Sequence, residues 1–107
     1  MITKGLLTAN RNRQLRLLLE HVEQAIQGSL VETYRACGKP RCACTRGEKH
    51  GPYHLLTWSE EGKTQTRHVP QEKVAALRAG IEHYRKAQVA LLKIGALNRR
   101  ILLEGSR

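Results

Sequence analysis

Three cysteines fall within eight residues, in the order Cys37-x4-Cys42-x-Cys44, and His50 follows after five further residues. Thiolates and an imidazole are the donors that zinc takes in a closed, tetrahedral structural site. An odd number of cysteines does not make a disulfide framework. Cys37, Cys42, Cys44 and His50 are therefore the expected ligands of one structural zinc ion. The spacing is not a repeated Cys-x2-Cys pair, so two other readings stand beside it. The cysteines could pack, reduced and metal-free, under a sheet, or Cys42 or Cys44 could serve a redox pair. His54 lies beyond the loop, on a strand with Leu56 and Trp58.

The same segment is basic. Arg35, Lys39, Arg41, Arg46 and Lys49 face a single acid, Glu48. A rigid knot of cations and glycine backbone is suited to gripping phosphates. Tyr53 beside it is placed to contact a sugar or base, and Lys63 and Arg67 add cations on the following hairpin. The whole chain agrees with this local charge. Of its 107 residues, 19 are Lys or Arg and 9 are acidic, for a net charge of +10. Arginine, the better fork for phosphate, outnumbers lysine. These features predict a nucleic-acid-binding protein. A solvated basic surface, or one that meets an acidic protein, is the plainer alternative.

Other chemistries find less support. Every acid is Glu, and the absence of Asp argues against two-metal phosphoryl transfer. No glycine-rich phosphate loop is present. A Cys44 nucleophile with His50 or His54 would lack an Asn or Asp to orient its base. A small nuclease using His50, His54 or His68 with Glu48 can be drawn, but no motif supports it, and no catalytic residue is expected.

The elements that must position these groups follow from periodicity. Asn10 reads as an N-cap and 11–27 as a helix with a Leu15, Leu18, Val22, Ala25 stripe. Arg11, Arg13 and Arg16 would then crowd its first turns, where an anion would be welcome. Residues 30–36, 53–59 and 64–69 read as strands, with Glu60-Glu61-Gly62-Lys63 as the hairpin turn. Pro70 opens a long helix. Val74, Leu77, Ile81, Tyr84, Gln88, Leu91, Gly95, Asn98 and Leu102 repeat at 3-4 spacing along it. The helix is expected to break at Gly80 or Gly95, or to pair distally with the first helix or with another subunit as a homodimer or larger assembly. The fold class is α+β in one domain, residues 1–107: an N-terminal helix (1–27), a three-stranded antiparallel sheet with its cysteine-rich loop (28–69) and a long helix (70–107) with a coiled-coil-like seam. No apolar run is long enough to span a membrane, and no signal peptide is legible, so a cytoplasmic protein is expected.

Gly28-Ser29-Leu30, Cys37-Gly38-Lys39-Pro40, His50-Gly51-Pro52-Tyr53, Gly62-Lys63-Thr64 and Val69-Pro70 stand in a distinctive order. Over residues 28–84 the chain resembles a family of small, basic, uncharacterised prokaryotic proteins that carry these motifs and are often encoded near transposases. The resemblance implies an accessory role in handling DNA or RNA. It implies no catalytic residues.

Overall fold

The computed structural model describes residues 3–35 and 50–104, with the backbone alone at positions 35, 50 and 51. The element order is α1 (Lys4–Val22), β1 (Ser29–Arg35), β2 (His50–Glu60), β3 (Lys63–Val69), a single 3-10 turn (Gln71–Lys73) and α2 (Val74–Glu104). The fold is α+β, with a helix, a three-stranded antiparallel sheet and a long closing helix. The described chain divides into two compact units. One is helical and contains α1 with α2 from Gly80 onward; the other contains Gln27–Ala79.

Helix α1 starts and ends earlier than the 11–27 expected from Asn10. Its N-cap is Thr3, in extended backbone, whose Oγ1 accepts from the Leu6 amide at 3.2 Å. The Thr3 carbonyl accepts from Leu7 at 3.1 Å. Gly5 and Thr8 are weak helix formers, and they mask this start in the sequence. The Thr8 hydroxyl donates to the Lys4 carbonyl at 3.0 Å, so it serves the helix from inside. Arg11, Arg13 and Arg16 accordingly sit in the middle of α1, away from the exposed amides of its first turn. The anion site expected at the helix start therefore falls away. Leu7, which precedes the N-cap expected at Asn10, is 0 % exposed.

Helix α2 runs unbroken through Gly80 and Gly95. In the helical unit it lies antiparallel to α1. Arg11 Nη1 donates to Asn98 Oδ1 at 3.3 Å, His21 Nδ1 meets His83 Nδ1 at 3.0 Å, and the Ile26 amide donates to the Gly80 carbonyl at 2.9 Å. The inner line of α2 is Gly80, His83, Ala87, Ala90, Ile94, Leu97 and Ile101, all buried or half-buried. This line is one residue away from the expected seam, whose Gln88, Leu91, Gly95, Asn98 and Leu102 are exposed. The stripe expected of helix α1 divides. Leu18 and Ala25 are half-buried, joined by Gln14 and His21 and by the buried Leu7, while Leu15, Leu19 and Val22 stay exposed. Small residues let two backbones approach closely, and that approach outranks the more conspicuous leucines.

In the sheet unit the strand order is β1-β2-β3, antiparallel throughout. Each strand is a residue or more out of step with its expected limits, and β2 gains most, starting at His50 and ending at Glu60. Glu60 pairs with Lys63 across a two-residue turn in which Glu61 (φ 51°) and Gly62 (φ 79°) are both left-handed. That is the primed turn whose twist matches a hairpin, and glycine adopts it without strain. Alternation separates two faces. Leu30, His54, Leu56, Trp58 and Val69 share the better-covered face, with His54 and Val69 buried. Val31, Thr33, Tyr53, Leu55, Thr57, Thr66 and His68 form the other, which carries no acidic or Lys/Arg side chain among the described side chains.

Candidate nucleic-acid interface

The cysteine segment is tethered at both ends by the sheet. Arg35, at the end of β1, is the ladder partner of His50, at the start of β2, just past a register shift in the pairing. Cys37, Cys42 and Cys44, with Lys39, Arg41, Arg46 and Lys49, lie outside the described residues. Among the described residues no three His, Cys or acidic side chains come together as a metal site. His54 takes the place expected for it, on the face of Leu56 and Trp58. It is 4 % exposed, and its Nε2 lies 3.9 Å from Oε1 of Glu32, its cross-strand partner.

The hairpin residues do not gather on one surface. Tyr53 lies on the uncharged face, its ring 6.1 Å from that of His68 and tilted by 53°. Lys63 and Arg67 alternate onto the opposite face, alongside Gln65, and both are exposed. Arg67 instead shares a hollow with Lys73, a cation that the sequence pattern did not single out. Leu56, His68, Val69, Pro70 and Leu77 complete its lining.

Sequence patterning also missed a second set of cations. In the helical unit, two adjoining depressions share Gln14 and Lys93 and form one continuous groove between α1 and α2. Lys86, Lys93 and Arg100 line it from α2 and Arg13 from α1, above Leu17, Val89, Ala90 and Leu97. His21, hydrogen-bonded to His83, and Arg85 stand toward one end of it. The signal was present in the sequence as an i, i+7, i+14 run of cations, which one helix face collects. The more conspicuous leucines concealed it.

Internal acids neutralise little of this charge. Glu82 takes the Arg85 guanidinium at 2.6 Å, and this hydrogen bond together with the Arg85 charge holds its carboxyl below the ordinary glutamate value. The Arg85 guanidinium is correspondingly raised by Glu82. Arg100 lies 3.7 Å from Glu104 in an exposed pair. Among the described residues, Arg13, Arg16, Lys63, Arg67, Lys86, Lys93 and Arg99 make no ion pair.

An α+β protein with unneutralised cations on both of its units is the class that these observations define. The chain belongs to the DUF6788 family, a domain of unknown function, which matches residues 10–79. That span takes in most of α1, the whole sheet and the first turns of α2. No curated protein and no solved structure matches the chain. No helix among the described residues is long and apolar enough to cross a membrane.

Proposed function

We propose that this protein binds nucleic acid in the cytoplasm, as a non-catalytic accessory to a mobile element or a nucleic-acid-processing machine. The observation that carries the reading is the surplus of exposed Lys and Arg that make no ion pair among the described residues, on a chain of net charge +10. Cations not spent on internal carboxylates are free to release the counterions of a polyanion. Arg35, Lys39, Arg41, Arg46, Lys49, Lys63 and Arg67 meet phosphates, and Tyr53 meets a sugar or base. A zinc ion on Cys37, Cys42, Cys44 and His50 stiffens the loop that carries four of these cations. The sheet supports such a role, because it brings the two roots of the segment together as ladder partners.

One preparation tests both parts. Metal analysis should give about one zinc per chain, lost in Cys42→Ser, and affinity for labelled DNA or RNA should fall steeply as salt is added. Binding that does not respond to salt would remove the phosphate contacts from the account.

A second reading is favoured by the helical unit. By helical spacing, Leu15, Leu19 and Val22 share the side of the α1–α2 pair that also carries Leu91 and Leu102, opposite the basic groove. Leu91 is 58 % and Leu102 73 % exposed. That side suits a homodimer or a larger protein partner. A monomer by light scattering at working concentration, unchanged by Leu91→Gln with Leu102→Gln, would remove the homodimer.

A further inference from the structure

The groove of the helical unit supplies a binding site that is separate in sequence from the cysteine loop. Lys86, Lys93 and Arg100 follow one another at seven-residue intervals on α2, so they form a nearly straight row along one side of the helix, slanted by about 20° per heptad. At about 1.5 Å per residue the row extends roughly 21 Å, the length of about six base pairs of duplex at 3.4 Å each. Arg13 faces it from α1. Leu17 and Val89 line the groove with apolar surface, and low-dielectric walls beside charges of one sign focus their field outward. The nearest competitors are weak. Glu82 is occupied by Arg85, and Glu104 reaches Arg100 only as an exposed pair.

We propose that this groove is a phosphodiester-binding track, engaging phosphates along the length of a nucleic-acid duplex through Arg13, Lys86, Lys93 and Arg100. The inference rests on the nucleic-acid reading above and adds to it the element that reads the backbone. A nearly straight row of cations on a stiff helix matches a straight, regularly charged rod. A flexible single strand gains less from it, because it must be straightened to fit.

The test uses the full chain with a labelled duplex of about 20 base pairs and with one of its strands. Each phosphate of B-DNA that is no longer neutralised lowers the slope of log affinity against log salt by about 0.9. Lys86→Gln/Lys93→Gln/Arg100→Gln should therefore flatten the duplex slope by about 2.7, as judged against the wild type. Between about 50 and 200 mM salt, the wild type would then lose about 40-fold more affinity than the variant. Lys86→Arg/Lys93→Arg, which keeps the charge, should retain the wild-type slope, and melting curves check that each variant is folded. The proposal is overturned if the triple variant keeps the wild-type slope and affinity while Lys63→Gln/Arg67→Gln loses both; the nucleic-acid reading would survive that result. It is overturned as to duplex if the triple variant weakens only the single strand. A wild-type chain that binds neither probe overturns the parent reading and this one together.

Discussion

Gly80 and Gly95 both lie inside α2, and their surroundings dictate opposite responses to the same change. A Cβ at Gly80 would lie 2.7 Å from Ile26 Cγ1 and 3.1 Å from the Gln24 carbonyl oxygen, with the Ile26 Cδ1 methyl closer still. The Gly80 carbonyl also accepts from the Ile26 amide at 2.9 Å, so the backbone there cannot simply back away. A Cβ at Gly95 would meet nothing within 4 Å. Alanine gains about 1 kcal/mol over glycine in a helix interior. At Gly95 that gain stands alone, and Gly95→Ala should stabilise by about 0.5–1 kcal/mol. At Gly80 it is set against overpacking, which costs about 1–3 kcal/mol. The net for Gly80→Ala is destabilisation by about 1 kcal/mol. For a chain of this size, about 1 kcal/mol moves the melting temperature by about 4 °C. Thermal melts followed by circular dichroism should therefore show Gly95→Ala rising and Gly80→Ala falling, by a few degrees each. In an Ile26→Ala background the Gly80→Ala penalty should shrink, giving a coupling of about 1 kcal/mol in a double-mutant cycle. If Gly80→Ala raises the melting temperature as much as Gly95→Ala does, the close approach of Ile26 to α2 is wrong, and so is the pairing of the two helices there.

The N-cap gives a second check, since Thr3→Ala should cost about 1 kcal/mol, while Asn10→Ala should leave the helix start unaffected in the same melts. Separating the His21–His83 contact by alanine at either position should cost about 1 kcal/mol, and the two changes together should cost less than their sum. The Glu82 carboxyl should titrate below ordinary glutamate in an NMR series and return upward in Arg85→Gln. Its lowered value means that any stability from this pair is present above the ordinary glutamate range and is lost as pH falls through the lowered one. Exposure keeps that contribution small. A Glu82 midpoint unmoved by Arg85→Gln would dismiss the pair.

Much of the architecture is legible in the chain itself. The period-2 runs around Leu30, Leu56 and Thr66 mark strands, and Gly62 after Glu60-Glu61 marks the tight turn between two of them. These are local properties, written in backbone preference and in the alternation of side chains. The acid-poor composition and the i, i+7 cations are also in the sequence, although the charge total is plain there and the row is not. The helix start is obscured because Gly5 and Thr8 weaken a local signal that the Thr3 cap restores.

The α+β order, the hairpin and the excess of positive charge are written in the chain locally, because each depends on neighbouring residues or on composition alone. Tertiary structure decided which face of each helix turns inward. That choice depends on how closely two distant backbones can approach, and Gly80, Ala87 and Ala90 permit an approach that leucines would block. It thereby decided where Arg13, Lys86, Lys93 and Arg100 gather, and that Tyr53 and Arg67 look to opposite sides of one sheet. Charge is a property of a residue, whereas a row of charges is a property of packing.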